Sequence, residues 1–392
     1  MDVPKPDRRV KVLLDVSAVS LPLSGIGRYT LELARQLPHC PGVEEVVYLA
    51  GDRVQADFDP AAIQSPAPAS RFRQWLKPLL PYKLLLAPYR RRRARALAAS
   101  LHDYRDYLFH SPNFSLPPVE GRAVVTLHDL SVFHFPQFHP RDRVNYLRDQ
   151  IAHSIERADH LVTDSAFVRD ELLQLFKLPA DRVTAVPLGV DASFRPRQAA
   201  ELQAVMAGYG LRAGAYLLSV GTIEPRKNLA ALLRAYRKLD AAQRSQYPLV
   251  IAGAYGWNSG PLMEQVEQMR GAGELIYLDY VPERDLPALY AGAAAFCYLS
   301  FYEGFGLPVL EAMASGVPVV CASGSALDEL CADSAQQADP HDDTAILASL
   351  HKALEDHAWR GEARERGLAR AATFTWQRSA RELAQVFAGL AA

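Results

Sequence analysis

Short apolar runs recur along the chain, bounded by polar residues, glycines and prolines, and stretches with helical spacing lie between them. In the first half, residues 10–16, 43–50, 107–112, 123–130, 160–165 and 183–191 read as strands. Helical patterns cover residues 29–37, 141–158 and 166–176, with Ser165 placed to cap the last. The second half restarts the alternation. Residues 215–221, 247–253, 274–279, 293–299 and 317–321 read as strands. Helical spacing covers 229–239, 260–271 and 283–291 and resumes from Thr344 and from Trp359, with a short element over 326–330. Residues 52–70 are polar and contain prolines, which predicts a loop, and 195–203 form a polar connection. Residues 374–387 repeat apolar positions on one helical face. Strands alternating with helices imply parallel sheets covered on both faces. Two such halves, divided near residues 190–210, predict two Rossmann-like domains facing each other across a cleft.

In open α/β sheets, ligands bind outside the carboxyl ends of the strands, so the residues there matter most. After the strand at 293–299 comes Glu303-Gly-Phe-Gly-Leu-Pro308, then a short helix through Glu311 that stops at Gly316. Gly304 and Gly306 let the backbone approach a ligand, and Pro308 suits a first helical turn. Strand, glycine loop and helix N-terminus together favour an anion, because free N–H groups and the helix dipole face the loop. Arg226 and Lys227 follow another strand and supply fixed cations. Residues 23–29, LSGIGRY, form a second glycine loop through Gly25 and Gly27. It lacks the third glycine of the nicotinamide-dinucleotide fingerprint. His110, His128 and Asp129 end strands, with His134 and His139 in the aromatic loop beyond. Their spacing matches no helical zinc motif.

The chain has 392 residues, 49% hydrophobic and 22% charged, with a net charge of −1, so nothing global points to nucleic acid. Cys40, Cys297, Cys321 and Cys331 form no C-x2-C pair, and the two in strand-like runs read as core thiols of a reducing cytoplasm. No secretory signal is expected at the start, and no run reaches the roughly 18 apolar residues of a membrane span. Residues 71–95 stand out by mixing Trp75, Tyr82, Tyr89 and leucines with nine basic residues and no acid. This composition suits either a solvated helical face or an interfacial segment on anionic lipid.

The order Glu303-x7-Glu311 around Gly-Phe-Gly-Leu-Pro resembles the signature of the family-four retaining glycosyltransferases, which have the GT-B fold. The resemblance extends over nearly the whole chain, through residues 23–29, Thr126–Asp129, Asp164-Ser165, Val186–Asp191 and Val220–Leu229. It implies an acceptor-binding domain over 1–190, a sugar-nucleotide-binding domain over 191–372, and a helix over 373–392 returning to the first. It also implies roles. Arg226 and Lys227 would bind the donor diphosphate and stabilise it as it leaves. Glu303 would hold donor-sugar hydroxyls with the backbone N–H groups of Gly304, Phe305, Gly306 and Leu307. Glu311 would bind the ribose, Gly25 and Gly27 would let the first loop approach the diphosphate and acceptor, and His128 would lie near the transferred sugar.

No D-x-D motif suited to Mg²⁺ accompanies the cations, so no metal or other cofactor is expected. The expected reaction is metal-free transfer of a hexose onto a glycan or lipid-linked acceptor. The pattern is similar to bacterial O-antigen and exopolysaccharide mannosyltransferases using GDP-mannose, with a UDP-hexose as the alternative donor. A sugar-nucleotide epimerase and a non-catalytic GT-B scaffold are the readings from other classes. Residues 71–95 are the candidate contact with the inner face of the cytoplasmic membrane.

Overall fold

The structure, a computed structural model, describes residues 9–21, 23–59, 97 and 99–391. Among them, β1 (Val10–Asp15), β2 (Val43–Ala50), β3 (Arg53–Gln55), β4 (Leu108–Ser111), β5 (Ala123–Leu127), β6 (His160–Thr163) and β7 (Val183–Ala185) form one sheet. Its order is β3-β2-β1-β4-β5-β6-β7, parallel throughout except for β3 against β2. The second sheet comprises β8 (Leu217–Val220), β9 (Leu249–Ala252), β10 (Leu275–Leu278), β11 (Ala295–Tyr298), β12 (Val319–Ala322) and β13 (Gln336–Ala338). It is parallel, in the order β10-β9-β8-β11-β12-β13. The near-continuous apolar strands follow from burial on both faces: β4, β5, β6, β9, β11 and β12 are buried at every position.

Four departures from the sequence pattern have local causes. The expected glycine loop at 23–29 is the first turn of a helix, Gly25–Gln36, because the Ser24 side chain caps it by accepting from Gly27 N at 3.0 Å. The expected loop at 52–70 begins with β3, a three-residue edge strand with exposed Arg53 and Gln55 that carries no apolar signal. The polar connection at 195–203 contains the start of the helix Ala199–Gly208, which a capping box between Gln198 and Glu201 initiates and Leu202 and Met206 anchor. β13 is short and half polar, so periodicity passes over it.

Among the described residues the chain crosses between the sheets twice, and the crossings touch. Val190 N donates to Phe374 O at 3.2 Å. Gly189 lies so close to the second crossing that a Cβ there would sit 2.2 Å from Trp376 N. The last helix, Trp376–Ala391, then packs on the first domain. The Trp376 ring lies 6.4 Å from that of Tyr29, and Phe387 lies 5.3 Å from His110. Residues 71–95 lie outside the described residues. Among the described residues, no helix is long and apolar enough to cross a membrane.

Candidate active site

Strand order reverses at β1/β4 in the first sheet and at β8/β11 in the second. Such switch points open a crevice at the carboxyl edge. Arg226 and Lys227 leave β8 through the short 3₁₀ turn Pro225–Lys227, and Glu303 leaves β11, so one crevice collects all three. The Lys227 ammonium donates to Glu303 Oε1 at 2.6 Å and to the Tyr298 hydroxyl at 2.5 Å. The Arg226 guanidinium donates to Glu303 Oε1 at 3.2 Å, the Tyr302 carbonyl at 2.7 Å and Glu224 at 2.8 Å. Burial opposes ionisation of Glu303, yet Lys227 and Arg226 outweigh it and hold the carboxyl down at about 2. Lys227 is lowered by burial and by Arg226. Two cations thus share one close carboxylate in a mostly buried crevice. Glu224, Tyr298 and Asp129 also support the pair. Asp129 stands at a strand end, where the sequence already places candidate residues, whereas Glu224 and Tyr298 carry ordinary loop and strand residue types and are not singled out by position.

The first domain presents the ends of β5 and β6 to this crevice. His128 Nδ1 lies 2.7 Å from Asp164 Oδ2, and Nε2 lies 2.9 Å from the Pro112 carbonyl. A carbonyl can only accept, so Nε2 carries a hydrogen and the remaining proton is shared with Asp164. Burial alone would lower His128, but the Asp164 charge raises it. Neither ring nitrogen is free to bind a sugar or act as a base, so the His128 ring is a fixed wall group. Its carbonyl has a separate part. A Cβ at Gly304 would sit 1.8 Å from His128 O, so only glycine lets the second domain's loop close on the first. Ser165 Oγ donates to the Gly304 carbonyl at 2.8 Å, and Tyr302 Oη donates to Glu171 at 2.6 Å while accepting from Leu130 N at 3.2 Å.

The remaining sequence candidates divide. Gly306, at φ +106°, caps the helix Leu307–Ala314 and packs on Leu327, where a Cβ would clash at 2.4 Å. Phe305 is buried edge-on against Phe374, 5.8 Å away, so its side chain supports the loop from behind. Gly25 faces Leu307 across the domains, with 3.9 Å to a notional Cβ, which brings the two glycine elements together. Gly27 instead backs onto the Ala18 carbonyl, 3.1 Å from a notional Cβ, and serves packing within its own domain. Glu311 is buried, and that burial, opposed by Arg28, pushes it up to about 7. Arg28 itself spans the domains to Glu283 at 3.0 Å. Glu303 and Glu311 therefore have opposite surroundings, one neutralised by cations and the other desolvated. His110, fully buried against Phe387, is a core residue. Among the described residues, no group of three or more His, Cys, Asp or Glu side chains gathers where it could hold a metal ion.

Solved structures share this architecture over essentially the whole chain. Sucrose-phosphate synthase from Thermosynechococcus elongatus superposes with a TM-score of 0.70 at 19% identity, covering 98% of this chain and 99% of that one. HepE of Anabaena, solved in complex with UDP-glucose, gives 0.69 at 15% identity, covering 97% and 100%. Two facing Rossmann-like sheets with the cation pair at the second switch point define the GT-B fold. In sequence, residues 23–194 match Glycosyltransferase Family 4, and residues 212–375 match Glycosyl transferases group 1. The chain is 42% identical over 368 residues to O-antigen chain mannosyltransferase B of Escherichia coli, covering 94% of this chain and 97% of that protein. The chain belongs to the family-four glycosyltransferases.

Proposed function

We propose that the protein transfers mannose from GDP-mannose, with retention of configuration, to a glycan acceptor in surface-polysaccharide synthesis. The observation that carries this reading is the Arg226–Lys227 pair, held at the switch point with Glu303 as the counter-ion that both share. Breaking the sugar–phosphate bond adds charge to the leaving diphosphate, and preorganised cations in a dry crevice stabilise that charge. The diphosphate takes over the cations from Glu303, which frees the Glu303 carboxylate for donor-sugar hydroxyls. The N–H groups opening the helix Leu307–Ala314 add to the same field. Glu311 accepts from the nucleotide ribose. Bound between two cations, Glu303 is not placed as the nucleophile of a double displacement. The leaving phosphate itself helps to deprotonate the acceptor on the same face. The reaction uses no metal. Support for mannose comes from the mannosyltransferase relative.

The UDP-glucose bound to the Anabaena protein of the same fold favours a UDP-hexose as the second reading. A thermal-shift panel with GDP, UDP, ADP, GDP-mannose and UDP-glucose, each with Mg²⁺ or EDTA, tests donor and metal together. A ligand of the folded state at ~100 times its Kd adds ~2.7 kcal/mol, a readily measured shift. The expected result is a metal-independent shift with GDP and GDP-mannose alone. A UDP-selective shift replaces the donor, and no shift with any nucleotide refutes the transferase reading. The enzyme works at the inner face of the cytoplasmic membrane, held by residues 71–95, each basic group contributing ~1 kcal/mol on anionic lipid. Failure to co-sediment with anionic liposomes at low salt would remove that part.

A further inference from the structure

A surface groove of about 630 Å³ runs along the first domain beside the cleft. Prolines and the side chains of Gln137, Arg141, Asn145 and Asn258 line it, and no carboxylate does. Asn258, from the second domain, holds the left-handed backbone at φ +54°. Asparagine adopts this conformation readily, because its short polar side chain can bond locally. The inner end of the groove is His139, which also lines a smaller cavity of about 110 Å³ with His128, Asp129, Arg226 and Trp257. His139 thus stands between the open groove and the cation crevice.

Its tautomer follows from the chain of bonds behind it. Ser131 Oγ donates to Asp129 Oδ1 at 2.7 Å, which uses the only hydroxyl hydrogen. The contact of 3.1 Å between Ser131 Oγ and His139 Nε2 therefore has the ring as donor. Burial keeps the imidazole neutral, with Arg226 and Arg143 assisting against Asp129. Nδ1 is then a bare acceptor. It is buried and has no hydrogen-bond partner among the described residues. An unpaired buried acceptor marks His139 as a point where the packing between groove and crevice is incomplete. Trp257 closes the same wall. Its Nε1 donates to Phe138 O at 2.9 Å, and its ring stacks 5.9 Å from His139 under the Arg143 guanidinium.

We propose that the groove binds the acceptor as an oligosaccharide, and that His139, at the inner end of the groove, positions its terminal sugar. Amide side chains pair with sugar hydroxyls as both donors and acceptors. The smaller cavity lies below the ~300 Å³ of an ordinary ligand site, so it admits at most the leading sugar while the groove carries the rest. His139 is a positioning residue for the acceptor. The inference rests on the transferase reading.

The test uses the full chain, with methyl α-mannoside and α-linked mannotetraose as acceptors, plus direct binding of mannotetraose in the presence of GDP. The wild-type KM should fall at least about tenfold from the monosaccharide to the tetrasaccharide, the effect of one or two groove hydrogen bonds. Asn145→Ala and Asn258→Gly (the latter keeping the backbone relaxed) should each raise the tetrasaccharide KM about three- to tenfold. Neither should change the KM for methyl α-mannoside or the GDP affinity. His139→Ala should raise both acceptor KM values and leave GDP affinity intact, which also reports that it folds. Unchanged tetrasaccharide KM and binding in the groove variants would overturn the proposal, as would a wild-type protein that binds no mannotetraose. Groove-dependent mannotetraose binding without transfer from any nucleotide sugar would support the glycan site while refuting the transferase reading beneath it.

Discussion

Glu303→Gln replaces the carboxylate facing Arg226 and Lys227 by a neutral group of the same shape. Holding this carboxyl at about 2 instead of its ordinary 4.5 corresponds to about 3 kcal/mol between its ionised and neutral forms. The sign is that of a depressed acid: the contribution is complete above 4.5 and fades only as pH falls towards about 2, so it is fully present at neutrality. The glutamine variant forfeits it at every pH and leaves two mostly buried cations adjacent to each other, with Glu224, the Tyr302 carbonyl and the Tyr298 hydroxyl as remaining partners. For a domain of this size about 3 kcal/mol lowers Tm by about 6–12 °C. Differential scanning fluorimetry at pH 7.5, with and without GDP, reads the effect. GDP should raise the Tm of the variant more than that of the wild type, because its diphosphate no longer competes with the Glu303 carboxylate for the cations. A variant that melts with the wild type, or that GDP stabilises less, would refute the idea that Glu303 holds the diphosphate site until the donor arrives.

Lys227→Ala and Arg226→Ala should each lower kcat by about 10²–10³ with the fold retained, as for loss of one preorganised charge at a leaving group; near-normal turnover by Lys227→Ala would remove its diphosphate role. Glu311, raised to about 7, has the opposite pH behaviour to Glu303: the folded state keeps its proton between 4.5 and about 7, so stability falls across that window as pH rises. Glu311→Gln should therefore gain on the wild type by about 3 kcal/mol between pH 4 and pH 8, and parallel Tm curves would contradict it. Gly304→Ala must move the domains apart, because its Cβ would lie 1.8 Å from the His128 carbonyl. Solution scattering should show an expanded molecule with little transfer activity, and a compact, active variant would show that the loop yields instead.

The parallel sheets and the cation crevice were legible because both rest on strong periodic or charged signals. Apolar runs followed within a few residues by Arg226, Lys227, Glu303 or His128 mark the carboxyl edges of strands whatever their exact length. What a strand-end residue does once the second domain arrives is a tertiary matter. Nothing in the local pattern shows that Pro112 and Asp164 occupy both nitrogens of His128, or that Gly27 answers to Ala18 while Gly25 faces Leu307. The helix at Gly25 was hidden for another reason: glycine is a poor helix former, and here the Ser24 cap overrides that propensity. Trp257 and His139 stand in irregular segments that carry no period. Their pairing depends on the two domains lying together as they do.

The adjoining crossings at Val190 and Phe374 determine how the molecule can open. One tether would let the halves swivel, twist and drift. Two tethers side by side behave like the two knuckles of a door hinge and leave rotation about the line joining them as the soft motion. Opening then changes the gap most at the rim farthest from that line and least beside it. The contact of Gly189 with Trp376 is the pin of the hinge, with no room for even a methyl group. A chain cut after Phe374 would lose its second knuckle and its tumbling would become that of two loosely tethered bodies, so the last sixteen-residue helix governs the orientation with which donor and acceptor meet as well as the stability of the domain on which it rests.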